Sequence, residues 1–383
     1  MLATAQWLPS GPVQFFDGRV RLAAEITATA GAPDDTTFFN YTDYERNALR
    51  SLRAALLVQW QPLHRVAFLT EVRTDDADTI TASAAYVRVR PWLDRPFTVQ
   101  AGRIPPVFGS FGRRAYESNR ALIGYPLAYQ YLTSLRADAL PSAPEDLLRM
   151  RGRGWRSSFP VGSPYAGPGL PLISAFRWDT GVQARWASSR VDAAVALTQG
   201  TLSNPLWGDD NGGKQLSGRL AVTPTVGLIL GTSGARGSWI SSAVPGARQS
   251  DAQSTLGADA EYSRGHGIVR AELVWSRWDL PPLTTTSAPS HLSALGAWVE
   301  GRYRIAPRWY VAARADRLGF SRLDAPESGV RLPWDAPVRR LELGAGYSIQ
   351  RNVVLRVGVQ FNERNGNRKE RRTFFATQAA WWF

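Results

Sequence analysis

The sequence predicts an all-β fold, a transmembrane antiparallel up-and-down β-barrel of about sixteen strands in a single domain spanning residues 1–383. Three observations carry this prediction. Apolar and polar residues alternate from end to end, short turns alternate with longer polar loops, and aromatic residues gather beside the short turns.

Alternation is clearest where Val353, Leu355, Val357, Val359 and Phe361 enclose Arg356, Gly358 and Gln360. Leu295, Ala297, Val299, Tyr303 and Ile305 likewise alternate with Trp298, Glu300, Arg302 and Arg304. Near the start, Val20, Leu22, Ala24, Ile26 and Ala28 alternate with Arg19, Arg21, Glu25 and Thr27. A soluble sandwich seldom carries arginines so regularly on its polar face. Such runs centre near positions 22, 56, 69, 86, 99, 183, 195, 219, 229, 259, 272, 299, 313, 344, 357 and 378. No apolar run approaches the roughly 18–20 residues of a membrane helix, so a helical membrane protein is excluded.

Short turns are predicted at Pro62-Leu63-His64, Pro91 to Pro96, Ser188-Ser189 and Thr223-Pro224-Thr225. Others fall at Arg264 to Gly267, Ala306-Pro307-Arg308 and Gln350-Arg351-Asn352. Between them lie polar loops at 31–49, 75–79, 202–213, 233–252, 279–291, 319–337 and 363–371. Trp60, Trp92, Trp186, Tyr262, Tyr303, Trp309 and Tyr347 all stand at or beside short turns. An amphipathic ring is most stable at the headgroup level, and such a row forms a girdle.

Composition narrows the function. The chain has no cysteine, which removes disulfide frameworks, thiolate metal sites and cysteine nucleophiles. The formal charge is +13, and 43 of the 45 basic residues are arginine. No basic helix, zinc finger or aromatic RNA-binding pattern accompanies that charge, so no nucleic-acid partner is expected. Ala3-Thr4-Ala5 before Gln6 looks like the tail of an export cleavage site, and residues 1–13 are read as a periplasmic N-terminal segment.

Phe375, Thr377, Ala379, Trp381 and Phe383 alternate up to a terminal phenylalanine. This resembles the closing strand of bacterial outer-membrane barrels. The resemblance implies that Trp381 and Phe383 form an assembly signal read by the barrel-assembly machinery. Between the fifth and sixth strands lies a segment of about 75 residues, 103–177, without sustained alternation. Strand number, this long loop and the terminal Phe together resemble the sixteen-stranded bacterial porin family. Val99-Gln100-Ala101-Gly102-Arg103-Ile104-Pro105-Pro106-Val107-Phe108-Gly109 is locally similar to phosphate-selective and carbohydrate porins, though their typical lysines are missing. The resemblance implies an integral protein of the bacterial outer membrane with periplasmic termini, in contact with lipid and lipopolysaccharide. It also implies a constriction loop folded into or over the pore, and a homotrimer.

The loop holds ten arginines, among them Arg113, Arg114, Arg120, Arg136, Arg149, Arg151 and Arg153, against four acids. Glu117–Leu122 and Glu145–Met150 are candidate short helices. Parity turns Arg19, Arg21, Arg88, Arg90, Arg302, Arg304, Arg314 and Arg356 inward, with further arginines, against nine inward acids such as Glu25, Glu71, Glu272 and Glu342. A charge at mid-depth on the lipid face costs about 2–4 kcal/mol, so these groups should face the lumen. Fixed positive charge in a narrow aqueous pore concentrates anions. The alternative reading is that most of these arginines are paired with wall carboxylates and merely keep the lumen hydrated. Phe108, Phe111, Tyr116, Tyr125, Tyr129 and Tyr131, with inward Tyr86, Trp278, Trp298 and Tyr310, are read as loop-to-wall packing rather than a sugar-stacking path.

His64, His266 and His291 fall at element ends without a nucleophile motif, and no P-loop or His-Glu-x-x-His occurs. Neither enzymatic activity nor a cofactor nor a metal is expected. The acidic clusters at Asp34-Asp35, Asp75 to Asp78 and Asp209-Asp210 are read as solvated loop tips rather than calcium sites. The expected function is a porin passing small anionic or neutral solutes by diffusion, with anion preference. The alternatives are a substrate-specific channel for phosphate, organic acids or sugars, and a structural barrel partnering another envelope component.

Overall fold

The computed structural model describes residues 11–42, 46–112, 116–175, 177–281, 290–325, 329–366 and 369–383. Sixteen antiparallel strands form the wall. They are β1 (Val20–Gly31), β2 (Ser51–Leu63), β3 (Val66–Asp75), β4 (Thr79–Val89), β5 (Phe97–Ile104) and β6 (Asp179–Ala187). Next come β7 (Val191–Thr198), β8 (Gln215–Thr225), β9 (Leu228–Ser238), β10 (Ala252–Arg264) and β11 (Gly267–Asp279). The last five are β12 (His291–Ala306), β13 (Trp309–Phe320), β14 (Val338–Gln350), β15 (Val353–Asn365) and β16 (Lys369–Trp382). Each strand pairs with its sequence neighbours, and β16 pairs back onto β1 from Glu25↔Trp382 to Gly31↔Ala376. Closure leaves no free edge. A spur, Val13–Phe15, adds to the start of β1. All sixteen expected centres fall inside these strands.

The faces are inverted relative to a soluble protein. On β14, Leu341 and Leu343 are 42% and 41% exposed, while Arg340 and Glu342 between them are 2% and 1% exposed. The same parity exposes Leu52 and Leu56 on β2 and buries Arg53. Apolar side chains thus form an outward band, as a bilayer requires, and charges point inward. Trp60, Trp92, Trp186, Tyr262, Tyr303 and Trp309 all lie exposed near the short-turn end. Trp309 and Tyr347 are in contact there, with ring centroids 4.6 Å apart.

Four expected connections differ. The turn between β8 and β9 is at 226–227, where Gly227 has φ +86°, not at Thr223-Pro224-Thr225. Pro224 lacks an N–H and shifts the register between Val222 and Thr225, but the strand continues past it. The 75–79 loop is a tight turn with Asp76 and Ala77 both at positive φ. At 363–371 the polar residues extend the ladder instead of leaving it. Arg371 donates to Glu363 and Arg364 to Glu370, each Nε to carboxylate at 2.9 Å, across β15 and β16. In the same way β9 runs on to Ser238, into the predicted 233–252 loop.

Candidate functional site

The long connection runs from residue 105 to 178, between β5 and β6. It contains a 3-10 turn (Glu117–Asn119), α1 (Leu127–Gln130) and α2 (Pro144–Met150), so both candidate helices have counterparts. Its backbone amides donate to carboxylates on the inward face of the wall. Ser110 N–H meets Glu272 at 3.0 Å, Ser118 meets Glu25 at 3.2 Å, Gly124 meets Glu342 at 2.8 Å and Leu127 meets Asp316 at 3.2 Å. These acids stand on β11, β1, β14 and β13, so contacts reach widely separated sectors of the barrel. The hydroxyls of Tyr116 and Tyr129 add bonds to Glu71 and Glu272. Gly124 fits because a Cβ there would collide with Gln360 and Glu342. Around these bonds, Phe108, Phe111, Tyr125, Tyr129 and Tyr131 join one buried apolar cluster with Trp239, Trp278, Trp298 and Trp334. The aromatics pack loop to wall, as expected.

The predicted arginines separate into three groups. The first is buried and paired. Arg314 contacts Glu342 at 2.6 Å, Asp316 at 2.9 Å and Glu300 at 3.3 Å. Arg356 reaches Glu117 of the loop at 3.0 Å, and Arg120 pairs with the same carboxylate. Arg136 is held by Asp138 at 2.7 Å and by the Ser157 carbonyl at 2.8 Å, and buried Arg151 reaches the Asn365 carbonyl at 3.4 Å. Paired and dehydrated, these groups are clamps of the fold rather than a lining for solute. The second group is exposed. Arg149 pairs with Asp146 on α2, Arg153 lies in a turn, and Arg19 sits in the turn before β1 rather than on the wall. Arg113 and Arg114 lie outside the described residues, as does the Ala3-Thr4-Ala5 segment.

The third group stays unpaired and gathers at the short-turn end. Arg21 and Arg88 project inward from β1 and β4, and with Arg90 just past the end of β4 they line a cavity of about 200 Å³ with Arg65, His64, Gln59 and Gln61. Register brings them together: Arg21 lies opposite Gln59, and Arg88 lies opposite both Ala67 and Gln100. Among the described residues, no carboxylate lines this cavity. Arg21 Nε and Arg88 Nε and Nη2 are buried without a hydrogen-bond partner among the described residues. Arg302 and exposed Arg304 stand at the same end on β12, Arg302 5.8 Å from the Tyr310 ring. Elsewhere the wall acids are consumed by wall arginines and by loop amides, which leaves the free positive charge here. Arg65 was not among the expected site residues. Its signal was adjacency to the predicted turn at Pro62-Leu63-His64.

The histidines lie at element ends. His291 is 3.2 Å from Ser290 and opposite Asp279 in register, but Arg277 engages Asp279 at 3.1 Å. No group of metal-ligating side chains occurs among the described residues. Asp34 is buried rather than a solvated tip, because it accepts from the Asn40 amide at 2.9 Å and from Thr37. Asp209 binds Lys214 and the Gly212 amide, and Asp75 binds Arg53 at 2.6 Å. At the C-terminus, Phe383 exchanges backbone bonds of 3.0 and 3.1 Å with Ala24, and its ring lies 5.2 Å from Trp381.

No protein-family model matches the sequence, and no curated protein matches it. Solved structures do match by shape. An anion-selective porin from Comamonas acidovorans aligns with TM-score 0.57 at 10% identity, covering 95% of this chain and 99% of its own. OmpT, an outer membrane protein of Vibrio cholerae, gives 0.56 at 10% identity over 95% and 97%. The outer membrane channel DcaP of Acinetobacter baumannii gives 0.54 at 10% identity over 97% and 100%. At these identities the likeness is one of fold. The chain has the sixteen-stranded barrel fold of the bacterial outer-membrane porins.

Proposed function

We propose that the protein is an outer-membrane channel that passes small hydrophilic solutes and prefers anions. The observation that carries the reading is the arginine-lined cavity at the short-turn end, with Arg21, Arg65, Arg88 and Arg90 and no carboxylate among the described residues. Guanidinium groups that cannot neutralise one another attract phosphate and carboxylate, and low-dielectric walls focus that attraction. Residues 103–177 act as the size filter, pinned across the lumen by the wall carboxylates. The solute therefore meets selectivity and size restriction at different depths. As a membrane barrel the chain contacts lipid throughout its outward band, and a homotrimer is the assembly expected from the porin fold.

One observation favours a second reading, a barrel closed by its loop and serving as an envelope anchor. The buried apolar cluster joins the loop, including Tyr129, Leu147 and Ile173, to wall residues such as Val274 and Leu318. Liposome swelling separates the two. Swelling in small neutral or anionic solutes, with exclusion above a size limit, supports the channel; vesicles that stay inert to every solute support the closed barrel.

A further inference from the structure

The two ends of the barrel treat exposed charge differently. At the long-loop end, Arg149 pairs with Asp146 at 2.9 Å, Arg277 with Asp279 at 3.1 Å, Lys369 with Glu363 at 3.1 Å and Arg331 with Asp324 at 3.2 Å. Seven short connections join strands at the opposite end, and six of them carry an exposed arginine in or beside the turn. These are Arg65, Arg95, Arg190, Arg264, Arg308 and Arg351, which follow one another round the rim from β2–β3 to β14–β15. None of the six has an acidic partner among the described residues. The connections hold a single acid, Asp94, and Arg19 and Asp17 add one charge of each sign in the turn before β1. The nearby wall acids Asp192 and Glu261 are engaged by Arg185 at 2.7 Å and by Arg270 at 2.9 Å. An arginine-rich composition does not explain this asymmetry, because the same composition supplies partners at the other end.

Position narrows what fits the rim. Trp186, Tyr262 and Tyr347 of the girdle stand four, two and four residues before Arg190, Arg264 and Arg351. The rings mark the headgroup level, so the arginines at the turns stand past it, in water. The girdle rings face the lipid, where the bases of a nucleic acid cannot stack on them. The charges encircle the mouth instead of converging, so one small anion reaches few of them. An extended run of carboxylates reaches many, each met by the two-pronged fork of a guanidinium. Through Arg65 the ring also runs into the arginine-lined cavity, so the positive surface continues from rim to lumen.

We propose that the short-turn rim docks an acidic polypeptide segment of a partner protein, its Asp and Glu side chains spaced along the arginine ring. A partner seated there also covers the mouth of the lumen. The docking surface does not depend on whether the lumen conducts.

The test uses purified full-length protein in neutral detergent and follows the fluorescence anisotropy of a labelled peptide of glutamates. R190Q/R264Q/R308Q/R351Q removes four rim charges and touches no residue of the cavity. R153Q/R156Q/R248Q/R322Q removes four exposed charges at the long-loop end. The rim variant should bind the peptide at least about tenfold more weakly than the wild type, while the control loses less than about twofold. The peptide should also bind more tightly than a single-stranded oligonucleotide of the same charge, and resist displacement by inorganic phosphate or phosphatidylglycerol. Equal losses in the two variants would show a response to net charge alone and overturn the proposal. So would tighter binding of the oligonucleotide, or displacement by phosphate or phosphatidylglycerol. The heat-modifiable gel shift checks folding; should the rim variant not fold, R190Q/R264Q and R308Q/R351Q replace it, each expected to lose about threefold. Reversal potentials of the same variants report on the channel, which tells a failed docking surface from a failed channel reading.

Discussion

Tyr129 of the long loop donates a 2.7 Å hydrogen bond to Glu272 on β11. The same carboxylate accepts from the Trp298 indole at 3.2 Å and the Ser110 amide at 3.0 Å. One wall acid thus fixes two points of the loop and one neighbouring strand. Removing one partner leaves a buried acceptor short of a donor, which costs about 1–3 kcal/mol. Tyr129→Phe should therefore loosen the loop locally without unfolding the barrel. Protease cleavage within 105–178 should speed up while the heat-modifiable gel shift persists. Unchanged cleavage would show that packing alone holds the loop.

The unpaired arginines carry the proposed selectivity. Replacing Arg21, Arg88 and Arg90 together by Gln should move the reversal potential in a salt gradient toward zero, with little change in melting temperature. The paired residue Arg314 should behave oppositely. Arg314→Gln takes the shared cation from Glu300, Asp316 and Glu342, and breaking a buried pair typically costs about 3–5 kcal/mol. Its main effect should be a lower folded yield, read on the same gels.

Asp335 lies in the connection between β13 and β14, where its carboxylate accepts the Ser134 and Gly152 amides of the long loop at 2.6 and 2.7 Å. Burial raises its pKa above the ordinary value, against the pull of those backbone bonds. A carboxyl raised in the folded state contributes stability that is present at acidic pH and lost as pH rises through the raised value. The melting temperature of the wild type relative to Asp335→Asn should therefore fall as pH increases through that range. A difference that does not vary with pH would contradict the assignment.

The C-terminal residue closes the ring through Ala24, so deleting Phe383 removes two backbone bonds and the contact with Trp381. A net loss of about 1–3 kcal/mol is expected from the bonds alone. In refolding, the closed and heat-modifiable fraction should drop. An unchanged fraction would confine any role of Phe383 to recognition during assembly.

The strands were legible because lipid on one side and charge on the other enforce a two-residue period, as Leu341, Arg340 and Glu342 illustrate. Parity also placed Arg314 and Arg356 correctly on the inner face. What parity could not tell was their accessibility. That depends on residues far away in sequence, such as Glu117 against Arg356 and Gly124 against Glu342. The inward acids were legible as charges, but their use as acceptors for loop amides was not, because irregular backbone has no period. Polar stretches misled where charge served pairing: Glu363 and Arg371 look like a loop in one dimension and form a cross-strand bond in three.

The central claim is that free arginine charge at the short-turn end biases the pore toward anions. The most direct measurement is the zero-current potential of the purified protein in a planar bilayer under a potassium chloride gradient. The account predicts discrete conductance steps and a reversal potential of the chloride-selective sign, reduced in the Arg21, Arg88 and Arg90 variant. A potential of the potassium-selective sign, or a protein that inserts without conducting, would contradict it.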